Sequence, residues 1–261
     1  MQRILGFILK YIFAAISCLY LFTFGFFFAK YRSFITKICE YFGFDVQKIG
    51  RLVIPKVKIS QAISDTVSIR LRELIAEDGD ITLLELVVVN NLISAYQPKK
   101  IFEIGTFEGR TTLNMASNCP DDAIVYTLDL SKEKINSAVL PIAPGDKQFI
   151  NKEKPGSKYR DSDVERKIVQ LLGDSAIFDF TFFYNTIDFV FVDGSHSYEY
   201  VLNDSKIAIQ LLKNQKGIIL WHDYKSWEGV TEALDELYVK NTDFKHLRHI
   251  EGTSLVYLFM K

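Results

Sequence analysis

The chain has 261 residues, 48% of them hydrophobic, with 31 basic and 32 acidic side chains and a formal net charge of −1. That length suits one globular domain with something extra, and the balanced charge lacks the basic footprint of a nucleic-acid binder. Cys18, Cys39 and Cys119 are scattered, odd in number and without a C-x-x-C, so neither a disulfide framework nor a zinc site is indicated.

The amino terminus differs from the rest. From Tyr11 to Ala29 nineteen residues carry no charge. As a helix they would span roughly 28 Å, close to the thickness of a bilayer core. Arg3 and Lys10 precede the run; Lys30, Arg32 and Lys37 follow it. It is long for the core of a cleaved signal peptide and has no polar face to lie on a membrane surface. The expectation is an uncleaved single-pass membrane anchor over residues 1–32, its flanking charges slightly favouring a cytosolic carboxyl side. Residues 33–60 read as a connector and 61–261 as the folded domain.

The pattern over Ser64–Glu77 suggests a helix, closed by Asp78-Gly79-Asp80. Thr82–Tyr96 has helical length and apolar recurrence at Leu84, Val87, Val88 and Leu92, with Asp80 as N-cap. Pro98 leads into the strand Ile101–Ile104. There follow the glycine turn Gly105-Thr106-Phe107-Glu108-Gly109 and a helix over Arg110–Ala116. Strand, glycine turn and helix form the unit in which a chain wraps a nucleotide-like ligand. Strands and helices then alternate. Ala123–Leu128 ends in Asp129, Lys167–Leu172 in Gly173-Asp174-Ser175, and Ile187–Val192 in Asp193-Gly194-Ser195-His196. Tyr198–Leu212 is helical, Gly217–Trp221 ends in His222-Asp223-Tyr224, Trp227–Val239 is helical, and Ser254–Met260 is a last strand. The fold class is α/β, a doubly wound, mostly parallel sheet with helices on both faces and an antiparallel last strand. Residues 141–163, rich in Pro, Gly, Lys and Asp, break the alternation as a long loop or lid.

Polar residues close nearly every strand, where ligands bind in open α/β sheets. The series Phe-Glu-Ile-Gly-Thr-Phe-Glu-Gly, Tyr-Thr-Leu-Asp-Leu, Leu-Leu-Gly-Asp-Ser, Phe-Val-Asp-Gly-Ser-His and Leu-Trp-His-Asp-Tyr resembles a class I S-adenosylmethionine-dependent methyltransferase. It is similar to the branch with Asp-Gly-x-His after strand four. The likeness covers residues 81–261 and implies a seven-stranded Rossmann-like sheet with S-adenosylmethionine as cofactor. It implies that Glu103, Gly105, Thr106 and Gly109 form the first cofactor motif. Asp129 would accept hydrogen bonds from the ribose hydroxyls, and Asp174 with Ser175 would lie near the adenine. The alternative for Asp174 is a helix N-cap.

In metal-dependent relatives the corresponding strand-end acids hold a divalent ion beside the acceptor hydroxyl. The resemblance therefore implies a metal set of Asp193, His222 and Asp223, with His196 as general base. The chain departs from that pattern at His222, whose imidazole suits manganese, zinc or iron better than magnesium. Tyr198, Tyr224 and Trp227 either stack on an acceptor or pack helices; His246 and His249 read as surface residues. The implied activity is methyl transfer to a hydroxyl of a small molecule or glycan. A nicotinamide-dependent oxidoreductase of the same sheet type, and a non-catalytic membrane-tethered binding domain, remain as alternatives.

Overall fold

The computed structural model describes residues 2–28, 31–32, 34–35, 38, 53–150 and 155–260. Cys39, Lys30, Lys37, most of the connector and residues 151–154 of the long loop lie outside them. The chain divides into two compact units, Met1–Gly50 and Arg51–Lys261.

In the first unit, helix α1 spans Gln2–Thr23 and gives way to a 3-10 turn over Gly25–Phe27. The Thr23 hydroxyl donates back to the Leu19 carbonyl at 2.7 Å, a local bond that competes with helix propagation. Among the described residues no helix is long and apolar enough to cross a membrane. This corrects the expected single-pass anchor and the membrane localisation built on it. The helix begins early enough to include Arg3 and Lys10 and stops before Phe24. Its charge-free part, from Tyr11 to Thr23, is about 20 Å long, well short of the ~30 Å of a bilayer core.

The second unit is an eight-stranded sheet. Its strands are β1 Lys56–Val57, β2 Lys100–Ile104, β3 Ile124–Asp129, β4 Ile168–Leu172, β5 Phe189–Val192, β6 Gly217–Trp221, β7 Arg248–Ile250 and β8 Val256–Met260. Their spatial order is β1-β7-β8-β6-β5-β2-β3-β4. All pairs are parallel except those of β8, which runs antiparallel to β6 and β7. The antiparallel last strand and the alternation match the sequence pattern. The additional strand is β1, which lies in the expected connector and pairs Lys56 with His249 and Val57 with Ile250. With only two and three residues, β1 and β7 are too short to show a period.

The helices are α2 Ile59–Ala62, α3 Leu83–Tyr96, α4 Arg110–Asn118, α5 Lys147–Ile150, α6 Tyr198–Leu211 and α7 Glu228–Lys240. The cap of α3 is Thr82 rather than Asp80: its hydroxyl accepts from the Glu85 N–H while the Glu85 carboxylate accepts from the Thr82 N–H. Ser64–Glu77 forms no helix. Buried asparagines on α3 and α4 take its backbone groups instead. Asn91 holds both the N–H and the C=O of Ser64, and Asn114 does the same for Arg72. At Arg70, Asn118 accepts from the N–H while Asn90 and Asn118 donate to the C=O. Side-chain amides thus do for this segment what a neighbouring strand would do, leaving the chain extended.

Successive strand residues point to opposite faces, and both faces are covered. Ile101, Val125, Phe189 and Phe191 pack toward α3 and α4, whereas Phe102, Val190, Val192 and Ile219 pack toward α6 and α7. All four residues of β5 are buried, as a central parallel strand requires. This two-sided core fixes the carboxyl ends of β2, β3, β5 and β6 side by side.

Candidate active site

The turn after β2 is dictated by space. Gly105 adopts φ +98°, and a Cβ there would lie 1.9 Å from the Asp193 carbonyl oxygen at the end of β5. Only glycine lets the two strand ends come this close. Phe107 follows in the left-handed region at φ 49°, and its N–H donates to Asp129 Oδ2 at 3.0 Å. Asp129 therefore stands against the glycine turn, at the end of the neighbouring strand. Thr106 is buried and exchanges a hydrogen bond with Thr127 at 2.6 Å, so it faces the interior. Glu103 is fully buried and accepts from Thr112 and Thr127. Burial pushes its carboxyl up to about 8; the two threonine bonds oppose this, and Asp193 and Asp129 add to it.

Gly109 caps α4 with φ +84°, but a Cβ there would meet the Tyr159 ring at 2.5 Å. The segment bearing Tyr159 is docked on the turn: the Gly156 and Lys158 N–H groups donate to the Phe107 and Glu108 carbonyls at 2.9 and 2.8 Å. Asp174 has structural partners on both oxygens. Oδ1 accepts from the Ala176 N–H and the Tyr200 hydroxyl, and Oδ2 from the Val139 N–H. No helix directly follows Asp174, so the helix-cap alternative does not apply: the carboxylate closes the turn at Ala176 and ties down the chain after β3. Ser175, beside it, bonds the buried Asp204, whose carboxyl burial pushes up to about 7.

Two loops away lies a cluster of acids and imidazoles. His196 Nδ1 is 2.5 Å from Asp146 Oδ1, and Nε2 is 2.7 Å from Asp223 Oδ2. The Trp227 indole stacks on this ring, centroids 4.2 Å apart and planes 10° from parallel, a favourable placement for a cationic imidazole. Asp223 itself sits at φ 65°, held by a bond from its N–H to the Ser254 hydroxyl. His222 Nδ1 lies 3.0 Å from Asp193 Oδ1 and 3.1 Å from Asp223 Oδ2, and Nε2 is 3.3 Å from Glu85 Oε2. Glu85 also accepts from the N–H and hydroxyl of Ser254.

The electrostatics follow from this alternation. Burial opposes charge on His196, but hydrogen bonds and charge from Asp146 and Asp223 outweigh it and push the imidazole up to about 10. His222 is likewise raised well above its ordinary value: burial is overcome by Asp193 and Asp223. Asp223 and Glu85 are held below the usual carboxylate range because their histidine partners outweigh the burial that would raise them. An ordinary imidazole near neutrality, ready to accept a proton, is therefore not what His196 is here; with both carboxylates attached it keeps its proton.

Among the described residues, Asp193, His196 and Asp223 each offer a ligand atom within 4.8 Å of the others. This grouping differs from the expected one, with His196 in the place of His222, which links both acids to Glu85. Tyr224 is buried and donates to Asp235 at 2.6 Å, and Tyr198 packs on the core, so neither faces an acceptor; Trp227 does border the cluster. His246 is exposed as expected. His249 is not: it is buried, its Nε2 2.7 Å from the Thr253 carbonyl, and burial lowers its pKa. Two residues of the cluster escaped the sequence. Glu85 carried a signal, the Thr82-x-x-Glu85 capping box. Asp146 carried none, lying in an aperiodic loop.

Residues 102–224 match a family model described as "Methyltransferase domain". No curated protein matches the chain. Among solved structures, a methyltransferase from Podospora anserina in its SAH-bound form shares 18% identity at a TM-score of 0.52, covering 70% of this chain and 81% of that one. The O-methyltransferase TomG from Streptomyces achromogenes, solved with SAM, shares 15% identity at a TM-score of 0.47, covering 86% and 96%. The family match falls on the four strand ends described above, and the first of these structures shares the fold. Residues 102–224 are thus similar to a methyltransferase domain, and the chain has the mostly parallel, Rossmann-like fold of the SAH-bound Podospora anserina methyltransferase.

Proposed function

We propose that this chain transfers the methyl group of S-adenosylmethionine to a hydroxyl oxygen of a small molecule or glycan. One observation carries the proposal: the ends of four adjacent parallel strands gather the tight Gly105 turn, Asp129 beside it, and the Asp193–His196–Asp223 cluster. Ligands of open α/β sheets bind at that end. The Asp129 carboxylate offers acceptors to a vicinal diol such as the cofactor ribose. Glu103, Gly105, Thr106 and Gly109 shape the turn, and Asp174 with Ser175 shapes the chain beyond it.

In the transfer, the acceptor oxygen attacks the methyl carbon, the carbon–sulfur bond breaks to leave a neutral thioether, and the hydroxyl proton departs. Alignment of donor and acceptor can supply roughly 7–11 kcal/mol. Nε2 of His196 is the atom placed to take the proton, once it has given up its own proton to Asp223 or solvent. Alternatively, that nitrogen and the Asp193 and Asp223 carboxylates would together hold a divalent cation, manganese better than magnesium because of the nitrogen, and a nitrogen so engaged would not also take the proton. When bound, such an ion would supply Lewis acidity toward the hydroxyl. The nicotinamide alternative is disfavoured because Gly105-Thr106-Phe107 lacks the second glycine.

Calorimetry with S-adenosylmethionine and with NADH, followed by methyl-label transfer to a panel of phenols, catechols and sugars, tests the proposal. Binding of S-adenosylmethionine with label transfer is expected. NADH binding alone would overturn it, and cofactor binding without transfer to any acceptor would favour a non-catalytic domain.

A further inference from the structure

The long segment between β3 and β4 contributes a side chain to the centre of the cluster. Asp146 is 3% exposed, although it comes from a loop rich in Pro, Gly and Lys. One of its oxygens, Oδ2, accepts from the Ser195 hydroxyl at 2.7 Å and the His196 backbone N–H at 3.1 Å. The other meets His196 Nδ1. The same loop braces the opposite side of the ring: Gly145 packs so closely on Trp227 that a Cβ there would lie 2.3 Å from the indole. Trp227 in turn stacks on the imidazole. All of these contacts fix one ring orientation, with Nδ1 turned to the loop and Nε2 turned to Asp223 and the strand ends.

We infer that Asp146 is the positioning residue for His196, holding the proton on Nδ1 so that Nε2 is the nitrogen presented to the reacting hydroxyl. The inference rests on the methyl-transfer reading for its consequence in turnover, but the dyad itself is open to measurement without it. A carboxylate that fixes the donor nitrogen of an imidazole determines which nitrogen accepts. Asp146→Asn separates this from a packing role. The backbone N–H of His196 can only donate, so the amide oxygen must keep the Oδ2 place. The amide NH₂ then faces Nδ1 and forces the proton onto Nε2. Shape and burial are retained; the presented atom is not.

Two measurements apply. In ¹⁵N-histidine-labelled protein, whose four histidines and their two ring nitrogens are assigned separately, a far-downfield His196 Nδ1–H is expected in the wild type, distinct from the N–H groups that His196 Nε2 and His222 direct at Asp223 and Asp193. It should be absent from both Asp146→Asn and His196→Ala. In turnover, with an acceptor that the wild type methylates, Asp146→Asn should lower kcat by about tenfold or more. KM for S-adenosylmethionine should stay within about twofold, and the same substitution should have no further effect in a His196→Ala background. A wild-type kcat in Asp146→Asn, or equal losses in both backgrounds, would overturn the inference. So would a downfield His196 Nδ1–H that survives Asp146→Asn. A wild type that shows the resonance but fails to bind S-adenosylmethionine would instead remove the methyl-transfer reading and leave the dyad standing.

Discussion

Glu103→Gln tests the physics of the buried layer beneath the glycine turn. Glu103 is fully buried, and burial lifts its carboxyl from an ordinary 4.5 to about 8. Between those values the folded protein holds a proton that the unfolded chain releases. Stability therefore falls as pH rises from about 4.5 to 8; the penalty is absent below that window and complete above it. At 1.36 kcal/mol per pKa unit, the penalty at pH 7 is about 3 kcal/mol, and its growth from pH 5 to pH 9 is roughly 4 kcal/mol. Glutamine keeps the volume, and its carbonyl keeps the bonds from Thr112 and Thr127, but it never ionises. Among the described residues Glu103 Oε1 has no hydrogen-bond partner, so the amide nitrogen placed there meets the same surroundings as the hydroxyl of the protonated acid. Urea unfolding of both proteins at pH 5, 7 and 9 should show similar stabilities at pH 5 and a variant that is several kcal/mol the more stable at pH 9. Asp204, raised to about 7, adds slope of the same sign to both proteins and cancels in the difference. Parallel stability curves would refute the assignment of a protonated Glu103 to the native state.

Three further outcomes are expected. Asp129→Ala should weaken S-adenosylmethionine binding about ten- to a hundredfold, from the loss of charge-assisted hydrogen bonds of roughly 1.5–3 kcal/mol, as read by calorimetry on folded protein; an unchanged affinity would remove the ribose assignment. Gly105→Ala should cost about 3 kcal/mol or more, or prevent folding, because its Cβ would collide with the Asp193 carbonyl at a positive φ; thermal unfolding within a degree or two of wild type would contradict the close approach. Chelation should abolish methyl transfer and manganese should restore it better than magnesium, with Asp223→Asn weakening manganese affinity in a direct titration; activity that survives exhaustive chelation would leave a base-assisted reaction without an ion.

What the sequence disclosed of this site, and what it hid, follow one physical line. A parallel strand buried on both faces needs an apolar run, and its end needs a turn, so Ile101–Gly105 or Phe189–His196 could be read directly from residue order. Asp129, Asp193 and Asp223 then fell at neighbouring strand ends because the strands that carry them are themselves legible. Ser64–Glu77 failed for the opposite reason. Its conformation is set by asparagines on α3 and α4, up to 48 residues away, whose amides satisfy its backbone, and no local period records such a partner. The amino terminus failed because an uncharged run and a helix need not coincide: the run ends at Ala29, the helix at Thr23. Asp146 was hidden by its loop, and its effect reaches beyond its own position. An imidazole between two carboxylates is a different chemical object from one beside a single acid, holding its proton until one partner is withdrawn. Asp223 is the partner that a cation or acceptor at the strand ends would claim, and Asp146 is the one that would remain. The sequence motif thus names His196 as a base, but the side chain that decides which of its nitrogens can act as one lies 50 residues earlier, in the segment that showed no pattern at all.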